Sequence, residues 1–511
     1  MNERPIGWAE VKLAQLVSPD RPRKLPRDLP HLPFVGMEHV EAHSMRLLGT
    51  VPASGLKSSA VHFQAGDVLY GRLRPYLNKV LLPRFEGLCS AEFIVFGKRA
   101  EVNSEWLAYF LNSSAFVSFA SHLNAGDRPR VDFDQIGAYE LLVAPRPEQD
   151  RIVDEIEKQL TRLDAATAAL RRVQANLKRY RASVLKGACE GRLVPTEAEL
   201  ARKEGRDYEP AGKLLQRILR ERRARWEADT LAKMQASGKL PKDDHWKHKY
   251  KEPSGPDPSF AFAAPEGWCI ASMDQLTSRI TSGSRDWSDY YGRGSGVFVM
   301  AQNVRPGFFD LSMKQQVDPP ITDSSTLRSQ IEKDDLLVTI VGANTGDVCL
   351  VSDSFPEHYV CQSVALMRPV GSFLGQYLNL YMNSDEHGQL IYKQYTYGAG
   401  RPHLGFEQLK STPVLLPPQA EITRIVDALA QAIPTIERQR AAVDRQFSKA
   451  SGLRNAVLAS AFAGQLVPQD PTDEPASALL ERIRAERAKQ PGRNSVRELK
   501  EHRNPRLRGT K

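Results

Sequence analysis

The sequence predicts an α+β protein made by duplication: two similar mixed α/β domains joined by two long helices, packed as an antiparallel coiled coil about a pseudo-twofold axis. Three observations predict it. The phrase "ASVLKGACEGRLVP", ending at Pro195, returns as "NAVLASAFAGQLVP", ending at Pro468, an offset of 273 (468 − 195). The match runs on without a gap, since "GDRPRVDFDQI" faces "AGRPHLGFEQL" and "RIVD" at 151–154 faces "RIVD" at 424–427. Toward the N-terminus the offset drifts as unequal loops require: "EWLAYFLNSS" pairs with "QYLNLYMNSD" at 271, "FQAGDVLYG" with "IEKDDLLVT" at 268, and Gly7-Trp8 with Gly267-Trp268 at 260. A repeat of this extent is a doubled chain rather than a doubled motif.

The elements follow in order. Residues 1–147 form the first mixed domain, with short apolar runs such as "DVLYG" and "EFIVFGK" between turn residues and an amphipathic helix at 104–112. Residues 148–256 form a helical spacer that starts after "LLVAPRPEQD", where prolines end a strand and suit the first helical turn. It ends in the polar linker "ASGKLPKDDHWKHKYKEPSGPDPS". Residues 257–417 repeat the mixed pattern, with "GVFVM", "LLVTIVG" and a helix at 375–383, and 418–490 repeat the spacer after "VLLPPQAE". Residues 491–511, with 7 basic and 2 acidic residues, read as a flexible basic tail.

In the first spacer Leu163, Ala166, Leu170, Val173, Leu177, Tyr180 and Val184 recur at steps of three and four, a heptad seam. The matching positions of the second are Ile436, Gln439, Val443, Gln446, Ala450, Leu453 and Val457, less apolar but in phase. Pro434 should kink this second helix or mark its true start. Gly191 and Gly464 are placed to close their helices in the left-handed conformation. A pseudo-twofold pair closes with two copies, whereas a solenoid needs more. The seam from Leu163 to Val184 is about 33 Å long at 1.5 Å per residue. One turn of B-DNA is about 34 Å, the spacing at which paired modules meet one face of a duplex.

Composition bounds the rest. At 511 residues and 41% hydrophobic the chain supports several ordinary cores. No apolar run is long enough to span a membrane and "MNERPIGWAEVK" lacks the apolar centre of a signal peptide, so a cytoplasmic protein without a membrane partner is expected. Five cysteines without a CxxC pair point to buried free thiols rather than disulfides or zinc. The net charge of +9 favours polyanions, yet residues 1–147 hold 17 Lys/Arg against 15 Asp/Glu and 476–511 hold 11 against 4. A nucleic-acid contact in the first domain therefore needs a local patch.

Catalytic signals fail one by one. An adenine methyltransferase needs Asn or Asp, Pro-Pro, then an aromatic ring to stack on the flipped base; here Asp318, Pro319 and Pro320 are followed by Ile321. "GRGSG" at 292–296 lacks the preceding strand of a cofactor loop, and no GxxxxGK loop followed by Ser or Thr occurs. His245 and His248 alone do not make a metal site. No catalytic residue, cofactor or metal is expected.

With these pieces in place the chain resembles the specificity (S) subunit of type I DNA restriction-modification systems. The resemblance covers nearly all of it, carried by the order of "PFVGMEHV", "GDVLYGRLRPYLNKV", "PRPEQDRIVDEIEKQL", "RASVLKGACEGRLVP", "HWKHKYKEPSGPDPSFAFAAPEGW", "ITSGSRDWSDYYGRGSGVFVMAQNV", "LLPPQAEITRIVDAL" and "LRNAVLASAFAGQLVP". It implies two target recognition domains reading a bipartite site in double-stranded DNA, and spacers that bind two methyltransferase (M) subunits. Restriction (R) subunits join the full complex, and partners carry out the adenine methylation and restriction. The alternative from another class is a non-catalytic helical scaffold that binds no DNA; a third is a self-sufficient enzyme, which Ile321 argues against.

For the DNA contacts, "YGRLRPYLNK" offers Arg72, Arg74, Tyr76, Asn78 and Lys79 on one turn, and its counterpart offers Asn344 and Thr345. Arg reads guanine, Asn reads adenine and Lys fits phosphate. Arg128 and Arg130, with Arg401 and His403, precede the last strand of each domain. Ser284, Arg285 and Trp287 lie in "TSGSRDW", and Arg21, Arg23 and Lys24 are candidate phosphate contacts.

Overall fold

The computed structural model describes residues 4–19, 21–238, 240–283, 287–320 and 324–489. The chain forms two compact units, residues 1–172 with 443–511 and residues 173–442. The basic tail at 491–511 lies outside the described residues.

In the first unit the chain turns at Gly7 (φ +78°) and enters strand Ala9–Lys12, antiparallel to Glu140–Val143. Between these two strands lie a five-stranded sheet, in the order Arg23–Lys24, Ala60–Phe63, Gly87–Cys89, Pro33–Val35, Val51–Pro52, and a three-stranded sheet with Val68–Gly71 at its centre. Val68–Gly71 and its neighbour Phe93–Phe96 are buried at every residue. Burial on both faces is why they read as unbroken apolar runs rather than alternating ones. Helix Ser104–Leu111 is capped by the Asn103 side chain, which accepts from the Trp106 N–H. Its Trp106 and Phe110 meet Phe462, from the end of the second long helix, edge-on at 5.5 and 5.4 Å.

The second unit repeats this order. Cys269–Ser272 pairs with Pro413–Leu416, and Leu336–Thr339, buried throughout, lies between Val348–Leu350 and Val364–Pro369. Helices Ser372–Met382 and Gly388–Tyr395 follow. The duplication holds down to single hydrogen bonds. Trp8 Nε1 donates to Glu148 at 3.1 Å, and Trp268 Nε1 to Glu421 at 3.0 Å. Ala476 N–H donates to Gly7 O and Ala211 N–H to Gly267 O, both at 2.8 Å. The ion pairs Glu209–Arg217 and Glu474–Arg482 also match. The repeat thus extends past Pro195 and Pro468 into helices Ala211–Ala236 and Ala476–Ala488.

The doubled phrase has a packing role. Gly191 and Gly464 both adopt left-handed backbone, φ +66° and +70°. A Cβ on Gly191 would meet Pro265 Cγ at 3.0 Å and Trp268 at 3.3 Å; one on Gly464 would meet Pro5 Cγ at 2.5 Å. Each phrase therefore seats a Pro-x-Gly-Trp start of a mixed domain.

The long helices, Arg146–Cys189 and Gln419–Phe462, have 44 residues each. The second starts at Gln419 and continues through Pro434, so Pro434 does not mark its start. In the first unit the two helical arms run antiparallel, with Arg151 paired to Asp473 at 2.6 Å and Asp164 to Arg454 at 3.3 Å. In the second unit they do so again, with Arg181 near Glu437 at 3.5 Å and Glu197 paired to Arg424 at 2.7 Å. Of the seam residues, Val184, Ile436, Val443 and Val457 are buried and Leu163, Leu170 and Leu177 half-buried. Val173 and Leu453, expected inside the seam, remain 43% and 54% exposed. The second helix supplies exposed Gln439 and Gln446 at seam positions, and an amide cannot offer the apolar knob a closed heptad needs.

Candidate nucleic-acid interface

In the first unit strand Val68–Gly71 runs into the turn at 72–79. The structure brings this turn against the segment at 128–131, two candidates that are far apart in sequence. Arg72 O accepts from Val131 N–H at 3.0 Å, Arg74 N–H donates to Pro129 O at 2.7 Å, and Leu73 bridges Arg130. Arg74 (φ +51°) and Asn78 (φ +45°) bracket the short turn Pro75–Leu77 in left-handed conformations. Such backbone is costly in non-glycine residues and persists only where the surroundings impose it. Here Asn78 is 4% exposed, its Nδ2 donating to Asn112 O at 3.2 Å and its carbonyl accepting from His43 N–H at 3.0 Å. Lys79 Nζ donates to Met37 O at 2.6 Å. Both were candidates to touch DNA, and both are spent holding the turn. Tyr76 is left outside, 46% exposed, with neither a hydrogen bond nor a ring contact among the described residues. Arg72 and Arg74 are half-buried and Arg128 is exposed. Arg130 grips Glu92 through two bonds of 2.7 and 3.1 Å.

The second unit uses the same frame with other side chains. Val341 bridges His403, Gly342 N–H donates to Pro402 O at 3.0 Å and Leu404 N–H to Ile340 O at 2.9 Å. Thr345 Oγ1 lies 2.7 Å from Gly342 O and 3.1 Å from Pro402 O, so its hydroxyl closes the turn. Asn344 is half-buried, its carbonyl accepting from Asp347 N–H. The His403 ring stacks on Tyr397 at 5.8 Å and 21°, with Tyr397 57% exposed. Arg401 and His403 line a cleft of about 1170 Å³ together with Gln302, Arg328 and Gln362. Tyr397, Gln302, Arg328 and Gln362 were not legible as candidates. The available signal was the match of "FVGMEHV" to "FVMAQNV", which puts Gln302 opposite Glu38.

Two other candidates change meaning. Arg21 makes two bonds of 2.6 Å to Asp67, which is 0% exposed and also accepts from the N–H groups of Gln64 and Lys98; this arginine balances a buried carboxylate. Trp287 is 3% exposed, stacked on Phe298 at 5.3 Å and edge-on to Tyr359, so its ring packs in the core behind the wall of that same cleft. Ser284 and Arg285 lie outside the described residues. Arg23 and Lys24 are exposed on an edge strand, as phosphate contacts require.

The remaining polar chemistry is structural. Burial raises the carboxyl pKa of Glu148 and Glu421 above the usual range, and each holds a tryptophan rather than facing a cleft. The five cysteines are unpaired; burial pushes Cys269 up to about 11 and Cys189 and Cys349 up to about 12, far from a reactive thiolate. "GRGSG" lies within strand Tyr291–Val299. Among the described residues no cluster of three or more His, Cys, Asp or Glu could hold a metal ion, and no helix is long and apolar enough to cross a membrane.

The fold and the paired loops define a class: tandem mixed domains that present different side chains on one frame, joined by long helices. No protein-family model matches the chain. It is 22% identical over 412 residues to the type I restriction enzyme EcoKI specificity subunit of Escherichia coli (strain K12), covering 77% of this chain and 74% of that one. It is 26% identical over 372 residues to the EcoBI specificity subunit of Escherichia coli, covering 70% and 66%. A 26% match to the EcoDI specificity subunit of Escherichia coli spans 37% of this chain and only 43% of the relative. Among solved structures, a chain from a type I R-M system studied for complex assembly and conformational transition superposes with a TM-score of 0.65 at 17% identity, covering 91% of this chain and 100% of the other. The chain is a homologue of type I restriction enzyme specificity subunits.

Proposed function

We propose that this chain is the DNA-specificity subunit of a type I restriction-modification complex. Its target recognition domains, at 1–147 and 257–417, each read one half-site of a bipartite duplex site. The spacers at 148–256 and 418–490 carry two methyltransferase subunits, restriction subunits join the full complex, and those partners perform the adenine methylation and cleavage. The chain itself is non-catalytic, takes no cofactor and works in the cytoplasm. The observation that carries this reading is the pair of pinned loops: one backbone frame used twice, with Arg72, Arg74 and Tyr76 in one copy and Asn344, Tyr397 and His403 in the other. Identical frames with unlike side chains are what two readers of unlike half-sites need. Val173, Tyr180 and Leu453 stand 43%, 58% and 54% exposed on the long helices, apolar surface suited to partner helices.

A gel shift of the full chain on duplex DNA across a salt series tests the reading. Recognition predicts affinity that falls steeply with salt as counterions compete. The scaffold alternative predicts no duplex binding, and methyl transfer by the isolated chain would reinstate the enzyme reading.

A further inference from the structure

The cleft of the second unit contains two side chains that do no work for the fold. Strands Tyr291–Val299 and His358–Val360 are adjacent and parallel, with Val299 opposite Val360. Gln302 and Gln362 follow just beyond their ends, and both line the cleft that holds Arg401 and His403. Gln302 sits in the short turn Ala301–Asn303, whose geometry is fixed by its buried neighbour. Asn303 is 1% exposed; its Oδ1 accepts from Met300 N–H at 2.9 Å and its Nδ2 donates to Asp310 O and Met313 O. The turn is rigid and Gln302 is free to serve something else. Neither Gln302 nor Gln362 has a hydrogen-bond partner among the described residues, and Gln362 is exposed.

The first unit builds the same corner. Strands Pro33–Val35 and Gly87–Cys89 are parallel, with Val35 opposite Cys89, and His39 Nδ1 accepts from Gly36 N–H as Asn303 does from Met300. Ser90 N–H donates to Val35 O as Cys361 N–H does to Val299 O. Glu38 and Ala91 therefore occupy the places of Gln302 and Gln362. The scaffold is retained and the chemistry at its tip is changed.

We propose that Gln302 and Gln362 are specificity determinants of the second domain, and that Gln302 reads the major-groove edge of an adenine in its half-site. A carboxamide presents a donor and an acceptor side by side, matching the N7 acceptor and N6 donor of adenine, while Arg401 and Arg328 at the cleft supply charge for the flanking phosphates. This rests on the proposed DNA-reading role. Its test is to map methylated adenines across the genome of a host expressing the full chain with its methyltransferase partner, for wild type, Gln302→Glu, Gln302→Ala and Gln362→Ala. The expected result is that each variant relaxes or replaces a base in one and the same half of the motif, with roughly tenfold to hundredfold less use of the original base. The other half stays as in wild type. A motif unchanged in Gln302→Glu and Gln302→Ala overturns the assignment, and so does a change that spreads to both halves. A wild type without any bipartite motif removes the proposed function and takes the assignment with it.

Discussion

Arg21 and Arg128 are both basic loop residues, yet their surroundings give them opposite duties. Arg21 reaches a fully buried Asp67 through two short bonds, and removing it strands a charge in the interior. Arg21→Ala is expected to cost roughly 3 kcal/mol in denaturant unfolding, at the low end for a broken buried pair because two backbone N–H groups still solvate the carboxylate. A phosphate contact would instead lose DNA affinity at unchanged stability. Arg128 is exposed, and Arg128→Ala is expected to leave stability unchanged, weaken binding across all sequences and lower the salt slope by about one. The candidate loops stood out in the sequence, because Arg, Asn, Tyr and Lys between strands are suited to DNA. Their commitments were not: Asp67 lies 46 residues from Arg21 and Glu92 lies 38 from Arg130, and nothing local in the chain announces such partners. Trp287 misleads for the same reason, since a loop string does not reveal which rings close over it.

At the level of elements, each helical phrase ends on a glycine that must be glycine. Gly191→Ala and Gly464→Ala are both expected to destabilise by about 1–2 kcal/mol from the left-handed backbone alone. Gly464→Ala should be the worse of the two, because its Cβ would sit 2.5 Å from Pro5 Cγ against 3.0 Å from Pro265 Cγ at Gly191; thermal unfolding of the pair ranks them. The buried carboxylate at the start of the first long helix gives a pH signature. Burial raises the Glu148 pKa in the folded state, so the folded state holds that proton more tightly. The resulting stability is full below the ordinary carboxylate range and is lost as pH rises through the raised value. Glu148→Gln keeps an acceptor for Trp8 and should flatten that loss in unfolding midpoints measured from acid to neutral pH. The two long helices were legible from their heptads and caps. The repeated helices at 211–236 and 476–488 were missed because their offset is 265 rather than 273, with helix Glu197–Glu204 filling a longer connection in the first copy. Pro434 looked like a boundary on local rules, and packing overrides it.

For the whole molecule, doubling is the fact from which function follows. On the proposed reading, two copies of a pinned loop serve as two readers, and the long helices serve as a spacer whose length is written in residues. What the sequence withheld at this scale was the content of each reader, since Glu38 and Gln302 sit at equal positions with nothing in composition to mark them. Deleting seven residues between 163 and 184 removes two helical turns, about 10 Å or roughly three base pairs, while keeping the heptad phase. Mapping the methylated adenines of a host expressing this deletion with its partners is the most direct measurement. The two-reader arrangement predicts unchanged half-site bases and a changed gap between them. New half-site bases with the old gap would contradict it.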